Sequence, residues 1–395
     1  MPDGTLLLTG RGRLLTPRPY DGPGPWAIFV RDGLFAWVGP QADASAADST
    51  VDLGTALVTP GLVDAHTHPA FAGDRSDEAA ARLEGAAYSG GGILRTVAAT
   101  RAASDDDLRA LTGARLRASL ASGVTTIECK SGYGLSTGEE LRALRLIGEA
   151  ADGLAVRVVR TFLGAHAVPP EAASAADHAA VVADEMITAV AAAGLAEFCD
   201  VFCDRGFFSP SDAELILRAA AAAGLGIRMH ADQLARTGAT ELAVRLGAVS
   251  VDHLEQLDDA GVAALASSRT VATLLPGPAL VMRDRMPPAR ALLDAGVTVA
   301  LASDANAGTF GAWGAMPLVI GLGAMLLGMT VAEAVSAATV GGAAALGLTG
   351  RRGVIAEGAD AGLVAWNAEH EGAFALNLGA VRPSRTWIGG RELSG

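Results

Sequence analysis

The chain holds seven histidines, and five of them (His66, His68, His166, His230 and His253) sit at or just past the end of an apolar run of strand length. His66 and His68 are two apart. Residues at that spacing on a strand point to the same side, so both rings can face one space while Thr67 points away. Asp304 ends another run, in Leu301-Ala302-Ser303-Asp304. Singly these signals are weak: a lone histidine is usually a satisfied structural residue, and a strand-end aspartate is often a helix cap. Together they put several imidazoles and a carboxylate on one rim. Such donors suit one divalent or trivalent metal ion, zinc or iron, with a position left open for water. A metal held there would lower the pKa of its water to about 7. Asp304 is then placed both to touch the metal and to take the water proton. His253 is placed to stabilise an oxyanion or shuttle a proton.

Other residues near these suggest recognition. Arg75 follows the histidine pair by a few residues. It can clamp a substrate carboxylate bidentately, or it can be a surface arginine paired with Asp74 or Glu78. Tyr133 lies between two glycines in Lys130-Ser131-Gly132-Tyr133-Gly134, which suggests a tight loop presenting the ring; the alternative is an aromatic packed on the rim. Lys130 admits two readings, a carboxylated bridge between two metals or part of a salt-bridged strand end with Glu128.

These residues need a scaffold that brings strand ends together. From about residue 58 onward, eight apolar runs alternate with helical stretches. They end near His66, Lys130, Phe162, Phe202, His230, His253, Leu275 and Leu301. Near-continuous apolar strands suit a sheet covered by helices, and eight alternations predict a (β/α)8 barrel with its site at the C-terminal strand ends. Ser104 before three aspartates, and Ser209-Pro210, open helices closed by Gly123 and Gly224. Thr137 and Glu140 have the spacing of a capping box. Gly90-Gly91-Gly92 lacks the Lys-Ser/Thr ending of a phosphate loop and reads as a flexible connection. Residues 1–57 and 351–395 read as short strands and turns. They are expected to form one small β-sandwich around a barrel spanning 58–350.

Composition limits the partners. The chain has 395 residues, half of them hydrophobic, and a net charge of −13, so nucleic acid and anionic membrane are poor partners. An anionic small-molecule substrate would need its own local cation. Three cysteines without a Cys-x-x-Cys pair argue against a disulfide framework. The start Met1-Pro2-Asp3-Gly4 shows no basic segment leading an apolar one, and a cytoplasmic setting is expected. The uncharged stretch from Ala305 to Ala332 contains Pro317 and lacks basic flanks, which suits a buried barrel helix better than a membrane span.

Val58-Thr59-Pro60-Gly61-Leu62-Val63-Asp64-Ala65-His66-Thr67-His68 resembles the metal-binding opening of the amidohydrolase superfamily. Gly353 to Ala361 resembles that superfamily's return into its small β domain. Within it, Glu128-Cys129-Lys130-Ser131-Gly132-Tyr133-Gly134-Leu135, His230-Ala231-Asp232-Gln233 and Val251-Asp252-His253-Leu254-Glu255 are similar to the imidazolonepropionase family. So are His68 to Arg75, and Tyr88 with the glycine run after it. The resemblance implies hydrolysis of 4-imidazolone-5-propanoate to N-formimidoyl-L-glutamate in histidine degradation. It implies metal at His66, His68, His230 and Asp304, with Asp304, His253 and Gln233 at the reaction centre. It implies substrate contacts from Arg75, Tyr88, Tyr133, His166, Gln233, Asn306, Gly308 and Thr309. A homodimer is the expected assembly. One position departs: Ala307 stands where the family usually has proline.

Two other functions are consistent with the same scaffold. A heterocycle deaminase of this superfamily uses a glutamate three residues after the fifth-strand histidine; Gln233 occupies that place and cannot transfer protons at neutral pH. A non-catalytic barrel homologue should have lost a ligand, and none is lost here.

Overall fold

A computed structural model describes residues 4–16, 24–85 and 91–393. Among the described residues five strands precede the barrel: β1 (Leu6–Gly10), β2 (Trp26–Arg31), β3 (Leu34–Pro40), β4 (Ser49–Asp52) and β5 (Val58–Pro60). Asp32 and Gly33 both adopt positive φ and turn the chain between β2 and β3, as an Asp-Gly hairpin requires. The barrel strands follow: β6 (Leu62–Asp64), β7 (Val124–Lys130), β8 (Arg157–Ala165), β9 (Phe198–Cys203), β10 (Gly226–Ala231), β11 (Ser250–His253), β12 (Val271–Leu274) and β13 (Val299–Leu301). All eight coincide with the apolar runs of the sequence. The tail adds β14 (Gly362–Trp366), β15 (Pro383–Ile388) and β16 (Arg391–Glu392).

β6 to β13 form one sheet in chain order with every neighbouring pair parallel. The seam between first and last strands closes just beyond their ends. Asp304 N donates to His66 O and His68 N donates to Ala305 O, both at 2.9 Å. The barrel therefore shuts at the residues expected to carry the chemistry. Asp64 strengthens the seam, accepting from Ser303 N at 2.9 Å and Ser303 Oγ at 2.6 Å.

Two further sheets come from the chain's two ends, in the orders β3-β2-β1-β4 and β16-β15-β14-β5. Their inner faces share one apolar cluster, with Leu8, Trp26, Ile28 and Phe35 against Leu363 and Trp387. This is the small sandwich. Its second sheet includes β5, so the chain passes straight from sandwich to barrel at Pro60-Gly61. A Cβ at Gly61 would lie 2.1 Å from Thr125 Oγ1, so only glycine lets β5 turn into β6 so close to β7.

Helix caps match expectation at Ser104 and Ser209, whose side chains accept from Asp107 N and Asp212 N. Thr137–Glu140 differs. The helix Thr137–Ala151 has Ser136 at its N-cap with no side-chain cap bond, and Glu140 is buried in contact with the preceding loop. The glycine run differs too: Gly91 and Gly92 begin the helix Gly91–Ala102, and Gly90 lies outside the described residues. The uncharged stretch contains the largely buried helix Met316–Leu326. Among the described residues no helix is long and apolar enough to cross a membrane. Cys129, Cys199 and Cys203 are buried and unpaired.

Candidate metal centre and substrate cavity

The strand ends that meet the site carry strained backbone. Asp232, His253, Leu254 and Asp304 have φ of 53°, 85°, 71° and 47°, a region that residues with a Cβ avoid. Each such residue costs on the order of 1–3 kcal/mol and persists only where its surroundings hold it. Hydrogen bonds supply part of that hold. Asp232 accepts from Thr237 N and Thr240 Oγ1, and Asp204 accepts from the backbone N–H groups of Gln233, Leu234 and Ala235.

His66, His68 and His230 each place a ring nitrogen within 4.8 Å of the others, and His66, His253 and Asp304 form a second such group. His66 Nε2 lies 3.2 Å from His68 Nε2 and 3.6 Å from Asp304 Oδ1; His68 Nε2 is 3.4 Å from the same oxygen. His66 Nδ1 is 2.7 Å from Asp252 Oδ2, so its proton goes there and Nε2 keeps a lone pair. His230 Nδ1 approaches Asp200 Oδ2 to 3.0 Å, and His230 N donates to Asp200 Oδ1 at 3.1 Å. Burial, reinforced by the neighbouring cations, holds the pKa of His66 and His68 well below the ordinary histidine value. Burial also lowers that of His230. Neutral rings with lone pairs directed into one space, beside a carboxylate, are unfavourable alone and satisfied by a cation. The donor set therefore fits a metal ion.

His253 behaves differently. Burial opposes its charge, but Glu255, with Oε1 3.5 Å from Nδ1, outweighs that and raises its pKa; Asp304 adds to the effect. Burial pushes Asp304 itself up to about 7.

Next to this cluster, inside the barrel, is a layer of buried charge. Lys130 Nζ donates to Glu128 Oε1 and Asp200 Oδ2, both at 2.7 Å. Arg228 Nη2 donates to Asp252 Oδ2 at 2.9 Å and to Ala65 O at 2.7 Å. Lys130 is thus an ammonium between two carboxylates, the salt-bridged reading. Asp252 joins His66 to Arg228, and Asp200 joins Lys130 to the backbone of His230, so the layer fixes both histidines. Such pairs are costly to break, because removing one partner leaves the other charge buried.

A cavity opens over the cluster. The segment after β6 supplies His68 and Arg75 to its lining. β7 is followed by Tyr133, and β8 by His166. β10 and its loop supply His230 and Gln233, β11 His253, and the loop after β13 Asp304, Asn306 and Thr309. Arg75 is buried, and Glu78 accepts from its Nε at 2.8 Å and its Nη2 at 2.6 Å. Its guanidinium passes between glycines: a Cβ at Gly92 or Gly308 would lie 2.1 or 2.2 Å from its nitrogens. Gly308 thus contributes by lacking a side chain. Its carbonyl accepts from Arg82 Nη2 at 2.5 Å. Asn306 spends its amide on its own loop, donating to Asp304 O and Thr309 Oγ1 and accepting from Gly308 N and Thr309 N. His166 Nδ1 is 2.9 Å from Gly132 O, and burial lowers its pKa to about 3, so the ring is neutral and donates there. Tyr88 lies outside the described residues.

Sequence alone gave no role to Asp200, Arg228, Asp252 or Asp204, and gave Glu140 only that of a capping-box partner to Thr137. Three of them carried a signal: Asp200, Arg228 and Asp252 are charges inside otherwise apolar strands, and Arg228 is two residues from His230. Glu140 had no such signal, because its partners are backbone groups.

Comparison with known proteins agrees with this geometry. The profile of the Amidohydrolase family matches residues 72–393. An imidazolonepropionase of Nocardia farcinica is 46% identical over 97% of this chain and 97% of its own. One of Salinispora tropica is 48% identical, with 92% of each chain covered. Among solved structures, an adenosine deaminase of Xanthomonas campestris with bound zinc superposes with a TM-score of 0.75 at 20% identity, covering 98% of this chain and 92% of that one. At that identity the likeness is one of fold.

Proposed function

The chain belongs to the imidazolonepropionase family of the amidohydrolases, and from that premise we propose that it hydrolyses 4-imidazolone-5-propanoate to N-formimidoyl-L-glutamate in histidine degradation. The observation that carries this reading is one cavity lined by both the metal-binding cluster and the buried Arg75. A cyclic amide bearing a propanoate needs both.

His66, His68, His230 and Asp304 hold one metal ion, zinc or iron; the zinc of the Xanthomonas campestris deaminase makes zinc the first to test. When bound, the ion supplies a Lewis acid that acidifies water and polarises the ring carbonyl. Arg75 binds the propanoate carboxylate. Tyr133, His166 and Gln233 orient the ring, and the Asn306–Thr309 loop, with Gly308 against Arg75, bounds the site. Asp304 takes a proton from the attacking water. His253 stabilises charge developing on the carbonyl oxygen. The ring C–N bond breaks, oxygen stays on carbon, and the departing nitrogen receives the proton. Gln233 holds the ring by hydrogen bonds and moves no proton, which favours ring opening over deamination.

Residues 61–350 act as the catalytic barrel and the two terminal segments as its sandwich, the pairing of β5 with β14 moving the boundary on from 58. The working form is a cytoplasmic homodimer, for which light scattering should return twice the chain mass. Product analysis by NMR tests the activity. N-formimidoyl-L-glutamate without ammonia release is expected; stoichiometric ammonia from a ring nitrogen would move the chain to the deaminases.

A further inference from the structure

We propose that Glu140 is a positioning residue for substrate recognition, setting Tyr133 and His166 together through the loop Gly132–Leu135. This rests on the reading that substrate binds in the cavity those two side chains line.

Glu140 is fully buried in the helix Thr137–Ala151. Its Oε1 accepts from Gly134 N at 2.9 Å and Leu135 N at 2.7 Å, and its Oε2 accepts from Gly132 N at 3.0 Å. Three backbone donors of one four-residue loop thus converge on one carboxylate. The loop cannot hold this shape cheaply by itself. Gly132 has a φ of 106°, and Leu135, a residue with a Cβ, has a φ of 55°. The loop is also pressed onto the helix: a Cβ at Gly134 would lie 2.7–2.8 Å from the backbone of Glu139 and Glu140. Arg101 Nε also holds the loop, donating to Gly134 O at 2.8 Å, but buried N–H groups without an acceptor are costly, and without Glu140 three of them lose theirs.

The loop delivers two things to the cavity. Tyr133 is presented from its middle, with its ring centroid 5.2 Å from that of His166 and 6.0 Å from that of His68. Gly132 O accepts the Nδ1 proton of His166 at 2.9 Å, which fixes that ring's orientation and leaves Nε2 as the free acceptor. One carboxylate outside the cavity lining therefore governs two substrate-facing groups. The metal ligands and Asp304 make no hydrogen bond to it.

Glu140→Gln tests this directly. An amide has a single acceptor oxygen, and its NH₂ would face a backbone donor at Gly132 or at Gly134 and Leu135. In the full-length, metal-loaded enzyme, KM should rise about 10-fold or more while kcat stays within about 3-fold and metal content is unchanged. In a His166→Ala background the same change should raise KM by much less, since coupled residues are not additive. The ¹⁵N signals of the His166 ring supply a readout that needs no turnover. They should show Nδ1 protonated in the wild type and shift in Glu140→Gln. If that variant does not fold, Glu140→Asp, one carbon too short to reach all three donors, takes its place with the same expectations. Unchanged KM with unchanged His166 signals, or fully additive effects, would overturn the proposal. A wild type inactive on 4-imidazolone-5-propanoate would overturn the functional reading instead, leaving the His166 signals to decide on Glu140.

Discussion

At the residue scale, chemistry and recognition are separable. Arg75 is buried and forked by Glu78, so its guanidinium is held in place rather than mobile. Arg75→Gln removes a charge-assisted contact worth about 1.5–3 kcal/mol, so kcat/KM should fall roughly 10- to 100-fold, mainly through KM. Steady-state kinetics check this, and an unchanged KM would remove Arg75 from the carboxylate site. His253→Ala should act oppositely, lowering kcat by about 10²–10⁴ with little change in KM. Full turnover by that variant would remove His253 from the mechanism. Most of these residues were visible in the sequence because strand-end histidines and an isolated arginine stand out against an apolar background. Their supporting residues were less visible. Arg228 and Asp252 belong to strands read only as hydrophobic, and their pairing depends on which strands become neighbours.

At the element scale, the eight barrel strands could be read because each is a short apolar run bounded by polar or glycine residues. Ser104 and Ser209 could be read as caps because their partners lie three residues away. Thr137–Glu140 has the same spacing and a different outcome, because a tertiary demand for Glu140 overrides the local one. Gly91 and Gly92 begin a helix although glycine disfavours one, and at Gly92 the reason is the Arg75 guanidinium beside it. The seam offers a test of the barrel as a device. Asp64 joins β6 to Ser303, the residue before Asp304. Asp64→Ala leaves buried donors unpaired, costing about 1–3 kcal/mol of stability, and should weaken metal retention about 10- to 100-fold. Thermal melting and metal titration check both.

The helix Ala175–Val181 offers a pH test away from the metal. Burial lowers the pKa of His178, whose Nε2 is 3.0 Å from Gly164 O. The unfolded chain takes a proton there near the ordinary value while the folded chain refuses it. The stability His178 contributes is therefore present above about pH 6.5 and lost as pH falls below it, by at most about 1.4 kcal/mol per unit. His178→Gln should flatten the decline in melting temperature between pH 7 and 5. An unchanged slope would contradict the assignment.

At the scale of the whole molecule, the two chain ends meet in one sandwich whose core joins β1 and β2 to β14 and β15. That pairing was expected from turn-rich ends flanking a barrel, but the strand order within its sheets was not readable, since it depends on which edges meet. Net charge −13 sets the electrostatic problem for an anionic substrate, and in the proposed function the buried Arg75, which lines the same cavity as the histidine–aspartate cluster, answers it. The proposed activity is one coupled event, metal-dependent opening of a carboxylate-bearing ring. Following the ultraviolet absorbance of freshly made 4-imidazolone-5-propanoate, with metal-loaded enzyme, after chelation and after zinc or iron is returned, tests it most directly. Rapid loss that chelation stops and metal restores is the predicted result; no loss with fully loaded enzyme, or loss indifferent to metal, would contradict it.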